Sequence, residues 1–468
     1  MADVNKKIKR SDVVICGGGL AGSAAAIAAA RLNKKVVLVE SSGVLGGIAT
    51  LGLVTPLDSR ESKSRISFGG ILEEICDKTI FYSRKYCKDN LDKEGKTIDI
   101  AAPHILKYVL LKTCVEAGVE IMFHSELVSA KTNENVIKSV MVQTKSGQVE
   151  IFASEFIDGS GDGILIYESG APYILGSEAN IVSQLSDAGY DGKDDLDTSY
   201  KGKMQPVSIF FSMGGVEPDI AKKYNGRSLE FGELGITREI FEKWEFAGTC
   251  GFEITDNTIP TPQNRILMTE TPRVGVMAIN MSRVLDIDGS DADSLNKGEI
   301  EAQLQVIALV DFLKSFVPGF ENAYLIESGS TLGIRESRRL IGKYVLKGLD
   351  VYYTRKFENA IGRGFYLIDI HDPRGKTGAI GGDIKGDYYE IPYGTLINGK
   401  VKNLLVCGRC ISADHMAHSA TRIQGTCVIT GQAAGTAAAL AIEKGTTAFD
   451  LDESSVHAKL QENGVFLV

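Results

Sequence analysis

The feature that most constrains this chain is a glycine-rich turn near its N-terminus. The segment Gly17-Gly18-Gly19-Leu20-Ala21-Gly22 follows an apolar, β-branched stretch that ends at Cys16, and it precedes an alanine-rich stretch that runs to Leu32. β-Branched residues favour strands and alanine favours helices, so the turn is expected to join a strand to a helix. A second apolar stretch, Val36 to Val39, predicts a parallel strand after the helical crossover.

The spacing of the glycines gives this turn a defined chemistry. Gly17 permits the tight bend, Gly19 lets the backbone touch a pyrophosphate, and Gly22 lets the helix pack closely. Leu20 and Ala21 begin the helix, whose N-terminal N–H groups would point at the anion. The turn therefore predicts a dinucleotide-binding site.

An acidic residue at the end of the second strand supports this prediction. Glu40 follows Gly22 by eighteen residues, which is where a carboxylate bonds the ribose hydroxyls of a bound dinucleotide. Ser41 lies beside it and is included in the expected site. An acid at this position disfavours a 2′-phosphate.

Length and charge limit the class of protein. The 468 residues exceed the size at which one hydrophobic core keeps growing, so two domains are expected. The net charge of -9 argues against a nucleic-acid partner, and no run approaches the length of uninterrupted apolar residues that spans a membrane. The eight cysteines are scattered, which suits a reducing cytoplasm. The sequence leaves the oligomeric state open.

The pattern of elements changes twice along the chain. Regular strand and helix alternation stops near Gly170, and a buried strand at Val401 to Cys407 and a small-residue helix at Thr426 to Lys444 restore it. We therefore expect residues 1–170 and 396–468 to form one domain, with residues 171–395 as an inserted substrate domain. Local patterns predict a helix over Ala101 to Ala117, a hairpin of Val136 to Gln143 with Gln148 to Ile157, a helix near Glu299 to Phe316, and an acidic loop at Asp187 to Asp197.

Two segments resemble known flavoproteins, and they bear on whether the dinucleotide is FAD or NAD. Gly46-Gly47, followed by Ile48-Ala49-Thr50, resembles the second glycine pair of the glutathione-reductase-type flavoproteins, which leads the chain past the pyrophosphate towards the isoalloxazine. The strand and turn at Phe156 to Gly163 resemble that superfamily's Gly-Asp motif, in which Asp162, after Gly159, would bond the ribityl chain. The resemblance implies FAD.

The C-terminal region extends this resemblance to nearly the whole chain. The stretch Asn403 to Ser412, which contains Gly408-Arg409, the stretch Arg422-Ile423-Gln424-Gly425-Thr426 and the stretch Gly431 to Gly435 are similar to the FAD-dependent oxidoreductase family. Further similar stretches are Met204 to Pro206, Gly333 to Arg338, Asp369 to Pro373 and Ile391 to Tyr393. The resemblance implies an α/β fold with a Rossmann-like, glutathione-reductase-type FAD-binding domain and an inserted mixed α+β substrate domain. It also implies that Gly408, Arg409, Gln424, Gly425 and Thr426 contact the cofactor. The helix that starts at Gly425-Thr426 would direct its N–H groups at the flavin N1/O2 edge and favour the anionic reduced flavin.

One pair of cysteines has the spacing of a redox-active disulfide. Cys407 and Cys410 are separated by two residues, and such a pair can exchange electrons with a flavin. Cys407, however, ends an apolar strand and replaces the alanine that the family pattern usually has. We therefore interpret it as a small buried hydrophobic residue.

Candidate residues for substrate chemistry are arginine and histidine. Arg335 lies in an Arg-Glu-Ser-Arg-Arg cluster that suits either a carboxylate clamp or an ion-paired surface turn. His415 and His418 follow the Gly-Arg pair, and His371 lies between Asp369 and Asp372. We expect His415 to be the first choice for acid–base work and His371 the second. No spacing among these histidines and acids matches a metal-ligand motif, so no metal is expected.

These observations predict an oxidoreductase that transfers a hydride between flavin N5 and a small polar substrate. Oxidation of a hydroxyl- or amine-bearing carbon is the favoured reaction, with a histidine as base, Arg335 holding the substrate, and an unidentified electron acceptor or donor. A flavin-dependent reductase of an activated C=C bond is an alternative, with the same histidine as proton donor. A flavin-binding electron-transfer subunit is a second alternative, against which the lack of clustered cysteines for an iron–sulfur centre counts.

Overall fold

The centre of the molecule is a five-stranded parallel sheet. The computed structural model describes residues 7–57, 68–87, 102–178, 201–217, 275–375 and 379–467, with short stretches between 218 and 274. The strands of the parallel sheet are β2 (Val13–Cys16), β3 (Val36–Val39), β4 (Glu120–Met122), β8 (Glu155–Asp158) and β22 (Leu404–Val406). Their order is β22-β8-β2-β3-β4, and every neighbouring pair is parallel. The N- and C-terminal regions thus share one sheet.

Nine α-helices of four or more residues occur among the described residues, and all but one lie outside the middle antiparallel sheet described below. They are α1 (Leu20–Arg31), α2 (Gly70–Tyr86), α3 (Pro103–Glu116), α4 (Ile164–Ser169), α5 (Ala292–Phe316), α6 (Gly348–Tyr352), α7 (His415–Thr421), α8 (Gln424–Glu443) and α9 (Glu453–Glu462). The helix predicted to start at Thr426 starts two residues earlier, and the one predicted over Ala101 to Ala117 is shorter at both ends.

Helices α1 and α8 pack backbone to backbone. A Cβ on Gly431 would lie 2.1 Å from the carbonyl oxygen of Ala21, and one on Gly435 would lie 2.1 Å from that of Ala25. Glycine and alanine therefore set the close approach of the two helices. Helix α8 is long and apolar enough to cross a membrane, but 94% of its apolar window is buried in the protein, as expected of a core helix.

A second, four-stranded sheet contains the predicted hairpin. Its strands are β1 (Lys7–Arg10), β5 (Glu126–Asn133), β6 (Val136–Thr144) and β7 (Gly147–Phe152), in the order β1-β7-β6-β5. The antiparallel pair β6–β7 confirms the hairpin. The prediction of one strand from Gln148 to Ile157 is wrong, because β7 pairs with β6 whereas β8 enters the parallel sheet beside β2.

The middle of the chain forms an antiparallel sheet with one long helix. The strands are β10 (Phe211–Gly214), β13 (Gly251–Glu253), β14 (Arg265–Glu270), β15 (Met277–Asn280) and β16 (Tyr324–Ser328), in the order β13-β14-β15-β10-β16. Helix α5 starts seven residues before the predicted Glu299, because the Asp291 side chain accepts a hydrogen bond from the Ser294 N–H and caps the helix there. The acidic loop predicted at Asp187 to Asp197 lies outside the described residues.

Short strand pairs connect these units. They are β9 (Tyr173–Leu175) with β17 (Arg338–Leu340), β11 (Ser228–Leu229) with β12 (Trp244–Glu245), β18 (Ala360–Gly364) with β21 (Tyr389–Pro392), and β19 (Ile368–His371) with β20 (Ala379–Gly382).

Two hydrophobic cores occur among the described residues. The first surrounds the parallel sheet, and the second lies between residues 207 and 332, where α5 packs on the antiparallel sheet. Buried residues from Leu340 to Ile391 belong to the first core, although the sequence assigns them to the inserted domain. The domain limits at 170 and 395 stay a prediction.

Candidate active site

The glycine turn differs in its packing from one position to the next. A Cβ on Gly17 would meet the Gly159 carbonyl oxygen at 2.6 Å, and a Cβ on Gly22 would meet the Gly17 carbonyl oxygen at 1.9 Å. A Cβ on Gly19 would have nothing nearer than 4.0 Å. The protein's own packing therefore requires glycine at positions 17 and 22, whereas Gly19 borders open space.

That space lies at the start of α1. No side chain in the described part of the protein caps this helix, so the N–H groups of its first turn have no side-chain partner there. An open space bordered by glycine and helix N–H groups fits a pyrophosphate.

The predicted ribose-binding acid is held rigidly beside the turn. Glu40 Oε2 accepts a hydrogen bond from the Gly18 N–H and Oε1 accepts one from the Ser42 N–H, each at 2.7 Å. Ser41 Oγ lies 3.5 Å from Glu40 Oε1. The carboxylate is thereby fixed at the end of β3, and its predicted role as acceptor for ribose hydroxyls stays a prediction.

The second glycine pair lies against the first. The Gly46 N–H donates to the Gly18 carbonyl oxygen at 2.9 Å, and a Cβ on Gly47 would lie 3.2 Å from Gly19 Cα. Thr50 Oγ1 donates to the Leu45 carbonyl oxygen, and Ala49, in the short 3-10 turn after Gly46, is buried. The structure thus brings the two predicted glycine segments to one place.

Asp162 and Arg409 form an ion pair beside Gly161. Arg409 Nη2 lies 2.7 Å from Asp162 Oδ1, which also accepts a hydrogen bond from Ser337 Oγ at 2.9 Å. The Gly408 N–H donates to Thr430 Oγ1, which ties this segment to α8. Sequence analysis missed Ser337, which holds the pair in place.

The start of α8 contacts the chain that follows the second glycine pair. Gln424 Nε2 donates to the Val54 carbonyl oxygen at 2.7 Å, and the Gly425 N–H donates to that of Leu57 at 2.8 Å. No side chain caps α8, and Gln424 Oε1 is buried without a hydrogen-bond partner among the described residues. The Gln424 Nε2 and Gly425 N–H donors are thus taken by the protein itself, and Gln424 Oε1 is the unpartnered polar atom at this helix start that fits the polar edge of a flavin.

The two cysteines of the Cys-x-x-Cys segment are buried thiols. Both are free, both donate weakly to the Asp158 carbonyl oxygen, and Cys410 Sγ lies 3.4 Å from the Cys407 carbonyl oxygen. Burial raises the pKa of each thiol well above its usual value. A thiolate is the reactive form in disulfide exchange, so this environment opposes redox chemistry here.

His415 is the first residue of α7 and is fully buried, whereas we expected a loop rising towards the substrate. Its Nδ1 lies 2.9 Å from Glu336 Oε1, and Arg339 Nη2 lies 3.4 Å from the same oxygen. Burial by itself would raise the pKa of Glu336, but the positive charges of His415 and Arg339 outweigh it and hold that pKa well below its usual range. The catalytic role of His415 stays a prediction, and its burial favours an indirect one. His418 is also buried, with Nε2 3.1 Å from the Arg409 carbonyl oxygen.

His371 lies in a second polar cluster that is partly open. Its Nε2 is 3.4 Å from Asp369 Oδ2, and Arg422 Nη2 is 3.3 Å from the same oxygen. The side chains of His371, Asp369 and Arg422 are 15%, 16% and 11% exposed. This cluster lies at the junction of α7 and α8, because Arg422 follows α7 directly and Asp369 N–H donates to Ser419 Oγ.

Arg335 joins this cluster through residues 205–208. Its Nη1 donates to the Pro206 carbonyl oxygen at 2.7 Å and to Ser208 Oγ at 2.5 Å, while the His371 N–H donates to Gln205 Oε1 at 3.1 Å. Burial, with the nearby charges of Arg422 and Arg283, lowers the pKa of Arg335 to about 9. Sequence analysis missed Gln205, Asp369 and Arg422 as site residues, although all three lie in stretches that resemble the family. Among the described residues, no group of three or more His, Cys, Asp or Glu could hold a metal ion.

A parallel α/β sheet, a glycine turn with open space at a helix N-terminus and a carboxylate fixed at the end of the next strand are features of an FAD-binding flavoprotein. Residues 12–462 match the family described as FAD dependent oxidoreductase, and the chain belongs to it. It is an FAD-dependent oxidoreductase, and FAD is its cofactor.

Solved structures that resemble the chain are distant in sequence. One is a geranylgeranyl bacteriochlorophyll reductase-like protein of Thermoplasma acidophilum, with 12% identity over 98% of this chain and 85% of that one, at a TM-score of 0.45. Another is p-nitrophenol 4-monooxygenase of Pseudomonas putida, with 9% identity over 97% and 84% of the two chains, at 0.44. A third is anhydrotetracycline hydroxylase of Streptomyces rimosus, with 11% identity over 97% and 66%, at 0.43. A search of curated proteins finds no match.

Proposed function

We propose that this protein oxidises a hydroxyl- or amine-bearing carbon of a small polar substrate. The observation that carries the proposal is the partly open cluster in which the His371 imidazole is paired with Asp369 beside Arg335 and the start of α8. FAD, when bound, supplies the acceptor for the hydride. The residues of the cluster then have to hold the substrate and take its proton.

His371 is the proposed base. Asp369 orients the ring through Nε2, and no described residue hydrogen-bonds to Nδ1. A base in this position accepts the hydroxyl or amine proton as the hydride leaves the carbon that bears this group. His415 is less suited to direct contact, because its side chain has no exposed surface and its Nδ1 is engaged with Glu336.

Arg335 is the proposed substrate-holding residue. Its guanidinium is held by the Pro206 carbonyl oxygen and Ser208 Oγ, so its direction is set before a substrate arrives. A fixed guanidinium loses little freedom when it binds an oxygen, and it keeps the reacting carbon in one orientation.

The proposal extends to architecture and setting. We propose a glutathione-reductase-type FAD-binding domain from residues 1–170 and 396–468 with a substrate domain between them, supported by the entry of β22 into the N-terminal sheet. We also propose a cytoplasmic location, since the described cysteines form no disulfide. A small-molecule substrate and a separate electron acceptor are further parts of the proposal.

The test is anaerobic incubation of the yellow holoprotein with a panel of hydroxyl- and amine-bearing compounds. Reduction of the flavin is measured as the loss of its absorbance. His371→Asn should lower the rate of reduction about 10²–10⁴-fold with unchanged flavin content. His415→Asn should keep most of the rate if His415 only holds Glu336. A panel that never reduces the flavin, together with re-oxidation of chemically reduced protein by activated C=C compounds, would replace the proposal with the reductase alternative.

A further inference from the structure

The cluster around His371 contains more buried positive charge than its carboxylates balance. Arg335 is 9% exposed, and no carboxylate of a described residue lies within ion-pair distance of its guanidinium. Arg422 shares Asp369 with His371, and the carboxylate of Asp372 is bound by Arg374 Nε at 3.0 Å. Buried arginines are normally paired with an anion, so the cluster lacks one negative charge.

Unused hydrogen-bond donors surround the same place. Gln205 Nε2 and Arg422 Nε are both buried, and neither has a hydrogen-bond partner among the described residues. Gln205 lies next to His371 because its Oε1 accepts from the His371 N–H. Arg335 contributes a guanidinium whose hydrogen bonds to described residues go to two neutral oxygens, those of Pro206 and Ser208. All of these unused groups are donors, so the missing partner is an acceptor.

We propose that the substrate of this site is a small hydroxy- or amino-carboxylate whose carboxylate is bound by Arg335 and Arg422, with Gln205 as an additional donor. This inference rests on the proposed function. A carboxylate matches the planar fork of a guanidinium with two parallel hydrogen bonds, and it is stronger than a neutral acceptor. The reacting carbon then loses a hydride to FAD while its hydroxyl or amino group loses a proton to His371, so that the C–O or C–N bond becomes C=O or C=N.

Binding of the substrate carboxylate also changes the pKa of the proposed base, His371. Burial and the positive charge of Arg335 lower the pKa of His371 to about 3, Arg422 acts in the same direction, and Asp369 opposes them. An anion bound between the two arginines offsets their charge, so the pKa of His371 rises towards its ordinary value. The imidazole therefore becomes an effective base only when the carboxylate is in place, and neutral compounds lack this effect.

The binding test uses the oxidised holoprotein and a carboxylate that cannot be oxidised, such as acetate or malonate, titrated while the flavin absorbance spectrum is recorded. We expect a saturable spectral change. Arg335→Gln should weaken this binding about 10–150-fold, which is the effect of one hydrogen bond to a charged group. Arg355→Gln is the matched control, because Arg355 is 57% exposed and paired with Asp350 away from the cluster.

A second arm compares each acid with its neutral amide in anaerobic flavin reduction. Acids should reduce the flavin at least tenfold faster at equal concentration. Equal rates for acids and amides, or tighter binding of inorganic phosphate than of any carboxylate, would overturn the carboxylate assignment and leave the oxidation intact. Saturable carboxylate binding without any reduction of the flavin would instead overturn the proposed function and keep the anion site.

Discussion

Replacement of Gly19 by aspartate should separate the stability of the protein from its affinity for FAD. Gly19 is the N-cap of α1, with φ −61° and ψ −178°, and an added Cβ would find no atom nearer than 4.0 Å. Aspartate is among the best N-cap residues and exceeds glycine there by a few tenths of a kcal/mol. The FAD-free variant should therefore be as stable as the parent or slightly more stable.

The cofactor should respond in the opposite way. The new carboxylate would occupy the space that the pyrophosphate is expected to fill. Two unit charges about 4 Å apart interact by about 4 kcal/mol at the effective dielectric constant of such a site. That energy raises the dissociation constant of FAD about 10³-fold.

The assay has two parts, urea unfolding of the FAD-free protein and titration of FAD followed by quenching of flavin fluorescence. Gly22→Ala is the matched control, because its Cβ would lie 1.9 Å from the Gly17 carbonyl oxygen and should destabilise the fold itself. Binding of FAD by Gly19→Asp within threefold of the parent, or unfolding of Gly19→Asp as easily as Gly22→Ala, would refute this prediction.

Four further predictions follow from the buried groups. Glu336→Gln should lower the free energy of unfolding by about 3–5 kcal/mol, because it leaves the buried His415 without its carboxylate and Arg339 with Glu178 as its remaining one. The folded-state pKa of Glu336 is depressed, so its contribution to stability is fully present above about pH 4.3 and is lost as the pH falls. Between about pH 5 and pH 3, the free energy of unfolding from urea titrations should therefore fall less steeply with pH in this variant than in the parent. Gly435→Ala should cost about 1–3 kcal/mol in the same assay, since its Cβ would meet the Ala25 carbonyl oxygen at 2.1 Å, and an unchanged midpoint would contradict the tight α1–α8 packing. Cys410→Ser should keep both flavin and turnover, and a loss of turnover alone would restore a redox role for the cysteine pair. Carboxylate binding near pH 5 should be accompanied by uptake of a proton, because it raises the pKa of His371 from about 3. The binding enthalpy measured by calorimetry should then differ between two buffers of different ionisation heat, and equal enthalpies would contradict the prediction.

Two buried histidines show where local sequence is a poor guide. His415 and His418 follow the predicted flavin-contacting segment by only a few residues, which suggested that they reach the substrate. Whether a side chain meets substrate depends on which face of its helix is covered, and α7 is buried on every side. His371 is more distant in sequence and still lies in the partly open cluster, because β19 packs beside α7 and its backbone bonds Ser419 and Gln205.

The sequence by itself determined the glycine turn, the β2–α1–β3 unit with Glu40 at its end, and the family, because these depend on steric limits and spacings within a few consecutive residues. Tertiary structure alone decided which charges meet. Arg335 and His371 are held together by residues 205–208, and residues 340–391 join the first hydrophobic core although they follow the second in sequence. Contacts between distant segments depend on how whole sheets and helices pack, and no local pattern in a single chain records that packing.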